Sequence, residues 1–212
     1  MSTYNDIIFL VELNGGTTVD RETYHHKDLK QQLIKNGLIL LNDEGIQRFS
    51  LRKVATMCGV SNNAPYKHFK DKDELINEIL NQVWTKFRLV LQESTEIHGD
   101  NPKLQIIGMG KAYVRFMVEN PEYLKLTFLS DHTSSVLIEN ETFSQCEGSV
   151  FSIFKDCAER YFKSIDLKPE LYMPKTMALW SLVHGIALLF AKKAIDYKGD
   201  YLELVERIII TA

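Results

Sequence analysis

The sequence predicts an all-α protein. Three observations support this fold class: apolar residues recur at spacings of three and four along most of the chain, no segment has a convincing strand pattern, and no internal repeat is found. The 45% share of apolar residues is normal for a globular protein. A chain of 212 residues is long enough for one substantial core or two small domains.

The first 23 residues stand apart from this pattern. They contain a short apolar run, Ile7–Val11, and a turn signal at Asn14–Gly16. No basic region precedes the run and no small-residue cleavage pattern follows it, so we do not expect a secretory signal peptide. We expect residues 1–23 to form an accessory segment, to which the sequence assigns no role.

A first helix is predicted from Lys27 to Asp43, where leucine and isoleucine residues form two adjacent helical stripes. Gly37 lies inside the helix, where glycine costs about 1 kcal/mol of helix propensity relative to alanine. We therefore expect Gly37 to mark a close crossing with another helix.

The stretch from Phe49 to Phe69 predicts two short helices joined by a tight turn. Ser50 is a good N-cap residue, and the apolar residues after it recur at the spacing of one buried helical face. Gly59 suits the left-handed conformation in which a chain leaves a helix sharply. Pro65 is tolerable only near a helix start, which predicts that the second helix has Asn62 as its N-cap and Pro65 as its third residue.

The second of these helices carries hydrogen-bonding side chains and no acidic residue. Such side chains can reach base edges and phosphates, as a recognition helix in the major groove of double-stranded DNA requires. The preceding helix begins with polar and basic residues, at the end of a helix where phosphate contacts are favoured. The residues expected to contact DNA are Ser50, Arg52, Lys53, Ser61, Asn62, Asn63, Tyr66, Lys67, His68 and Lys72.

The charge distribution supports this interpretation although the whole chain is slightly acidic. The formal net charge is −3, but His26–Lys72 contains nine basic and four acidic residues and carries +5, which leaves −8 for the rest. This asymmetry favours phosphate contact by the N-terminal part and disfavours it elsewhere.

Helical patterns continue to the C-terminus. A connecting helix is expected from Asp71 or Asp73 to about Thr95, and a break follows at Gly99–Pro102. Later helices are predicted over 104–119, 121–129, 141–162, 168–194 and 201–212. Thr176–Ala191 has no charged residue but is short for a bilayer span, which takes about 20 residues, so we expect no membrane partner and a helix buried on two sides.

The cysteines and histidines indicate no metal site. Three cysteines form no CxxC pair, so neither a disulfide framework nor a zinc site is expected, and a reducing cytoplasm fits. His25 and His26 have no carboxylate or cysteine positioned with them as further metal ligands. We therefore expect neither a metal nor a cofactor.

The chain resembles the tetracycline-repressor (TetR) family of bacterial transcription regulators. In the N-terminal part the matching residues are Gly45, Ser50, Val54, Ala55, Gly59, Val60, Ser61, Tyr66, His68, Phe69, Lys72 and Leu75. In the C-terminal half, Trp180–Gly185 resembles the Trp-x-x-x-His-Gly pattern of one TetR C-terminal domain type. The resemblance implies a helix-turn-helix DNA-binding domain over 24–75 and an effector-binding and dimerisation domain over 76–212.

The resemblance also implies a homodimer and a small effector. The residues expected at the dimer interface are Trp180, His184, Leu188, Val205 and Ile208. In TetR-like proteins the middle helices enclose the effector cavity, and aromatic walls would suit a small apolar or aromatic ligand. The residues expected in this pocket are Trp84, Phe87, Tyr113, Phe116, Met117, Phe128, Phe151 and Phe154, although each single aromatic is about twice as often a core residue as a ligand contact.

The function that the resemblance implies is a transcription regulator, most often a repressor, that the effector releases from its operator. Two alternatives remain open. A DNA-packaging protein without an effector would bind unrelated duplexes equally, although the acidic remainder of the chain disfavours it. An all-α enzyme could use His184 with Glu147 or Glu159 as acid and base, but we do not expect one, because no nucleophile motif, phosphate loop or metal-ligand spacing supports it.

Overall fold

The computed structural model describes residues 21–128, 135–144 and 149–211, so the expected accessory segment lies almost entirely outside the described residues. Within these residues there are eight α-helices: α1 (Arg21–Glu44), α2 (Leu51–Met57), α3 (Lys72–Glu96), α4 (Pro102–Glu119), α5 (Pro121–Phe128), α6 (Val150–Ser164), α7 (Tyr172–Ala191) and α8 (Tyr201–Thr211). Short 3-10 turns lie at Ile46–Arg48, Pro65–Lys67 and Pro169–Leu171. The all-α fold class is confirmed.

The region before α6 differs from the prediction. The helix expected over 141–162 begins only at Val150, and a two-stranded antiparallel hairpin precedes it, with β1 at Leu137–Glu139 and β2 at Thr142–Ser144. The turn residues Asn140 and Glu141 have φ values of 49° and 58°, the left-handed values that tight hairpins use. Strands of three residues are too short for an alternating pattern to show in the sequence.

Helices α1, α2 and α3 enclose a first apolar cluster. Leu33, Val54 and Leu75 are completely buried within it. Gly37 of α1 faces α3, where an added Cβ would lie 2.8 Å from Cδ1 of Ile79. The close crossing expected at Gly37 is therefore confirmed, because a side chain at this position would require the neighbour to move.

A second and larger apolar cluster is organised around α4. This helix packs against α3, α6, α7 and α8, and its residues Met109, Val114 and Met117 are completely buried. The side chain of Asn101 caps α4 by accepting a hydrogen bond from the Leu104 N–H at 3.1 Å. Because α3 contributes to both clusters, it connects the two parts of the chain.

Helix α7 is the most apolar element of the described chain. Together with the 3-10 turn before it, this helix covers Pro169–Ala191, which is long and apolar enough to cross a membrane by length and composition. The apolar segment is therefore longer than the stretch Thr176–Ala191 that was considered in the sequence. Only 28% of its most apolar 18-residue stretch is buried in the single chain. The sequence predicted that this helix is buried on two sides, but its own chain covers only one of them.

Candidate nucleic-acid interface and internal cavity

Helix α2 is held at both ends by residues that the sequence predicted. Ser50 Oγ accepts a hydrogen bond from the Lys53 N–H at 3.3 Å, which confirms Ser50 as the N-cap. Gly59 has a φ of 68°, and the N–H groups of Gly59 and Val60 donate to carbonyls of the last turn of α2 at 3.1 and 3.0 Å. This pair of bonds satisfies the end of the helix and turns the chain sharply away from its axis.

The segment after this turn is shorter than the predicted second helix. It is a single 3-10 turn, Pro65–Lys67, entered from Ala64, and the prediction of a helix capped by Asn62 is wrong. Pro65 occupies the first position of the turn, where its missing N–H costs no bond. The residues expected to cap a helix form a separate turn instead, in which the Ala64 N–H donates to the Ser61 carbonyl at 2.9 Å.

Most of the side chains predicted to contact DNA are exposed on this turn and on the helices beside it. The exposed residues are Arg52, Lys53, Ser61, Asn62, Asn63, Tyr66, Lys67 and Lys72. Tyr66 keeps 60% of its surface exposed, a large fraction for an aromatic residue. A duplex can therefore reach a continuous group of amide, hydroxyl and ammonium donors.

Three of the residues predicted to contact DNA are less available to a duplex, because two use their side chains in contacts within the protein and one is half-buried. Ser50 uses its hydroxyl as the cap of α2. Lys53 Nζ lies 2.5 Å from the Glu44 carboxylate and 3.1 Å from the Arg48 carbonyl, so a phosphate would have to compete with this ion pair. His68 is half-buried, with its ring 6.5 Å from that of Phe69, and so lies nearer the core than the other predicted contacts.

The start of α3 fixes the position of Lys72. Of the two starts left open by the sequence, the structure selects Asp71, whose carboxylate accepts a hydrogen bond from the Glu74 N–H at 2.9 Å. Lys72 is then the exposed first residue of a helix of 25 residues. An ammonium group at a helix N-terminus adds to the attraction that the helix end exerts on a phosphate.

A cavity of about 540 Å³ lies among α3, α4, α6 and α7. Six of the eight residues expected in the effector pocket line it, but Phe116 and Met117 do not. Met117 is completely buried, and Phe116 stacks behind Phe87 with the ring centroids 4.9 Å apart. The lining consists of Trp84, Phe87, Arg88, Leu91, Tyr113, Phe128, Ser135, Val136, Ser144, Ser149, Val150, Phe151, Phe154 and Trp180.

Several polar lining residues were missed in the sequence. Arg88 lies one helical turn after Trp84, so the i, i+4 spacing could have placed both on one face of α3. Ser135 precedes the hairpin that the sequence did not predict and Ser144 ends its second strand, so no pattern could have placed them at the cavity. Ser149 lines the cavity as the N-cap of α6.

Trp180 and His184, which we expected at the dimer interface, are half-buried and make contacts within their own chain. Trp180 lines the cavity, and His184 Nδ1 lies 2.9 Å from the hydroxyl of Tyr113. Trp180 and His184 are four residues apart on α7 and so share the face that meets Tyr113. The sequence could not reveal this orientation, because α7 is apolar nearly all round and no face stands out.

Trp180, Tyr113 and His184 form one hydrogen-bonded group. Trp180 can only donate, so its N–H donates to the Tyr113 oxygen, and the tautomer of His184 decides whether Tyr113 or Nδ1 donates in the bond between them. Burial raises the pKa of Tyr113 and lowers the pKa of His184. Both effects oppose ionisation, so Tyr113 and His184 are neutral at pH 7.

The other residues expected at the dimer interface are buried to different degrees. Val205 is completely buried within its own chain and cannot contact a second one. Leu188 and Ile208 are partly buried against the second apolar cluster. The prediction for Val205 is therefore corrected, since it reaches the core through the inner face of α8.

Metal-ligating residues and cysteines do not form a site in the described part of the chain. No group of three or more His, Cys, Asp or Glu residues that could hold a metal ion lies within 21–128, 135–144 and 149–211. Cys157 is completely buried, and burial raises its pKa to about 11. Cys58 is half-buried and accepts a hydrogen bond from Asn36 Nδ2 at 3.2 Å, whereas Cys146 lies outside the described residues.

Comparison with known proteins gives matches over both candidate sites. Residues 33–79 match "Bacterial regulatory proteins, tetR family", and residues 106–212 match "Tetracyclin repressor-like, C-terminal domain". An uncharacterized HTH-type transcriptional regulator of Bacillus subtilis (strain 168), YobS, is 27% identical over 177 residues, which cover 82% of this chain and 86% of that protein.

Solved structures show the same fold at low sequence identity. A protein with unknown function from Rhodococcus sp. RHA1 has a TM-score of 0.70 and 21% identity, covering 94% of this chain and 95% of that chain. A bacterial regulatory protein in the tetR family from Rhodococcus RHA1 has a TM-score of 0.62 and 16% identity, covering 85% of this chain and 96% of that chain. The arrangement of the helices is therefore shared beyond the sequence matches.

Proposed function

The chain belongs to the TetR family of bacterial transcription regulators, and we propose that it is a cytoplasmic homodimeric repressor that a small effector releases from its operator DNA. It is a DNA-binding regulator and not an enzyme, as the sequence predicted. Repression, dimerisation and release by an effector are the parts of the proposal that need experiment. Dimerisation and release by an effector are each supported by a separate feature of the described chain.

The observation that carries the proposal is the exposed polar surface on the turn after α2. Side-chain amides can form paired hydrogen bonds with adenine and an ammonium group can contact guanine, which makes Asn62, Asn63 and Lys67 the candidate base readers. Arg52, Tyr66 and Lys72 surround them and suit contacts to the phosphate backbone. Because α2 and α3 are fixed by their caps and by the first apolar cluster, this surface is held rigidly.

The outer face of α7 supports a dimer. Ala178, Ser181 and Leu189 are exposed there at spacings of three to eight residues, and Gly185 lies between them with no heavy atom within 4 Å of an added Cβ. Ile210 is exposed on the neighbouring α8. A helix this apolar is unfavourable in water unless a partner covers it, and small residues allow the backbones of two helices to approach closely. We propose this face, in place of Trp180, His184 and Val205, as the dimer contact.

Helix α5 offers a route by which a ligand could affect DNA binding. Leu126 of α5 packs into the first apolar cluster, among residues of the DNA-binding part. Phe128, at the end of the same helix, lines the cavity and makes edge contacts with the rings of Trp84 and His184 at 5.5 and 4.7 Å. A ligand that displaces Phe128 would therefore move α5 against the first cluster. It shifts the protein away from DNA only if it binds the displaced state more tightly.

The test of the DNA-reading surface compares two substitutions on two duplexes, one recovered by selection from a random pool and one scrambled. Lys72→Gln should weaken binding to both duplexes alike and reduce the salt slope by about 1, because it removes a phosphate contact. Asn63→Ala should cost about 1–3 kcal/mol on the selected duplex alone, because it removes a base contact.

A matched control is Lys163→Gln, which removes an exposed lysine from α6 and should leave both affinities unchanged. Equal losses on both duplexes for Asn63→Ala would exclude it as a base reader. Equal wild-type affinity for both duplexes would instead favour a DNA-packaging protein.

A further inference from the structure

We propose that Glu44 sets the strength of DNA binding by holding Lys53 in an ion pair, which withholds one phosphate contact from the duplex. This inference rests on the proposed DNA-reading surface, because Lys53 matters to a duplex only if α2 lies against it. The position of Lys53, its two partners and the charge balance of the pair each support the role of Glu44.

Lys53 lies where a phosphate contact is expected. It belongs to the first turn of α2, and α2 packs against the turn Pro65–Lys67, which presents candidate base readers. Four basic residues were predicted to contact DNA, and three of them form no ion pair within the described part of the chain: Arg52, Lys67 and Lys72. Lys53 is the exception, since Glu44 is its partner.

Two acceptors hold the ammonium group of Lys53. Its Nζ lies 2.5 Å from the Glu44 carboxylate and 3.1 Å from the Arg48 carbonyl. Glu44 is the last residue of α1, and the 3-10 turn Ile46–Arg48 connects it to α2. The Lys53 backbone is fixed as well, because its N–H donates to Ser50 Oγ. An ammonium group has three donors, so one N–H is left for other acceptors.

The placement of Glu44 is not explained by the stability of the fold. An acidic residue in the last turn of a helix meets the negative end of the helix dipole, and α1 has no basic residue in its last turn. The ion pair leaves 46% of the Lys53 side chain and 35% of the Glu44 side chain exposed, and pairs this exposed stabilise a fold little. A residue that opposes a local rule without a clear gain in stability is typical of a functional position.

Together, Glu44 and Lys53 bring no net charge to a duplex. A phosphate at the remaining N–H of Lys53 would also lie close to the Glu44 carboxylate, whose repulsion offsets much of the attraction. If Lys53 turned to a phosphate instead, the carboxylate would stay unpaired beside the DNA. In both positions the pair releases few counterions, so the affinity for every duplex is lower and the sequence preference is unchanged.

Glu44→Gln removes the carboxylate and should free Lys53 for a phosphate. One more neutralised phosphate adds about 0.9 to the magnitude of the salt slope, which makes binding about fivefold tighter at about 0.15 M salt and about 15-fold tighter at about 0.05 M. The gain should be equal on the selected and the scrambled duplex, because a phosphate contact carries no sequence information. Fluorescence anisotropy of labelled duplexes with the full-length protein, repeated at several salt concentrations, measures both quantities.

Lys53→Gln tests whether the gain depends on Lys53. Added to Glu44→Gln, it should abolish both the gain and the extra salt slope. In the wild-type background it should cost at most about twofold, because the carboxylate that it leaves unpaired is exposed and screened by salt.

Asp43→Asn is the matched control for the loss of a carboxylate. Asp43 is exposed in the same last turn of α1 and forms no ion pair with another described residue. Its replacement removes one negative charge from nearly the same place and should change the affinity by less than about twofold.

The outcomes separate this role from general repulsion and from the proposed function. A gain that persists after Lys53→Gln, or that Asp43→Asn reproduces, overturns the proposal, because Glu44 would then only repel DNA. A loss of affinity for Glu44→Gln also overturns it, because Glu44 would then direct Lys53 toward a phosphate. Unchanged affinity of Glu44→Gln, with normal binding by the wild type, refutes the role of Glu44 alone. A wild type that binds neither duplex refutes the DNA-reading surface itself.

Discussion

Replacing Gly185 with leucine should stabilise the single chain and weaken the dimer. Gly185 lies inside α7, and an added Cβ meets no heavy atom within 4 Å in its own chain. Leucine has a helix propensity better than that of glycine by about 0.8 kcal/mol, so the isolated chain should gain roughly this amount. For a protein of this size, the melting temperature should rise by about 2–3 °C.

The effect on a dimer has the opposite sign if two copies of α7 meet at Gly185. A side chain inserted into a close helix contact costs about 1–3 kcal/mol, and a two-fold interface contains the substitution twice. The dissociation constant should therefore rise by roughly 30-fold or more. No contact within the single chain accounts for such a change.

Sedimentation equilibrium over a range of protein concentrations measures the dimer, and thermal unfolding at the lowest concentration measures the chain. Gln92→Leu is a matched control, because Gln92 is exposed on α3, away from the proposed interface, and its replacement should leave the dissociation constant unchanged. A higher melting temperature for Gly185→Leu with an unchanged dissociation constant would refute the reasoning. The dimer would then have to form through another face.

Three further predictions concern packing, ionisation and reactivity. Gly37→Val should lower the free energy of unfolding by about 1–3 kcal/mol, because the valine side chain meets Ile79. Adding Ile79→Ala to this variant should recover part of the loss, as measured by denaturant unfolding of the wild type, the two single variants and the double variant. If the effects of the two substitutions simply add, the close crossing is contradicted. Burial lowers the pKa of His184, so the unfolded chain binds a proton more readily, and the stability present above about pH 6.5 should fall as the pH drops toward the folded-state pKa. His184→Gln should therefore lose less melting temperature than the wild type between about pH 7.5 and 5, and an equal loss would contradict this assignment. Burial raises the pKa of Cys157 to about 11, so iodoacetamide should modify it about tenfold or more slowly than an exposed thiol, as measured by mass spectrometry of its peptide.

The parts of the structure that follow from local chemistry could be predicted from the sequence. Ser50 caps α2, Gly59 adopts the left-handed conformation after it, and Asp71, one of the two predicted starts, caps α3. Each of these depends on one side chain or one backbone angle that few other residues provide. The helices around them follow from the spacing of apolar residues. The positions of α1, α2 and α3 in the DNA-binding part could therefore be predicted from the sequence.

The parts that depend on tertiary packing could not be predicted. The residues of the 3-10 turn at Pro65 would equally suit the start of a longer helix. The separate turn before it, closed by the hydrogen bond from the Ala64 N–H to the Ser61 carbonyl, distinguishes the two structures, and the sequence does not show that turn. Trp180 and His184 lie on a helix without a polar face, so their inward orientation depends on the contact with Tyr113. Phe116 and Tyr113 are three residues apart on α4, yet only Tyr113 lines the cavity. Aromatic residues at this spacing cover a broad face of the helix, and the sequence does not show which part of that face the cavity occupies.

Selection from a pool of random duplexes tests the central claim most directly. The full-length protein is incubated with the pool, and the bound duplexes are sequenced after several rounds. A dimer that reads DNA through Asn62–Lys67 should enrich a pseudo-palindrome whose half-sites are about 34 Å apart, and the Asn63→Ala variant should relax the preference at one position in each half-site. Enrichment of no sequence, or of a single unrepeated half-site, would contradict the account of a dimeric sequence-specific regulator.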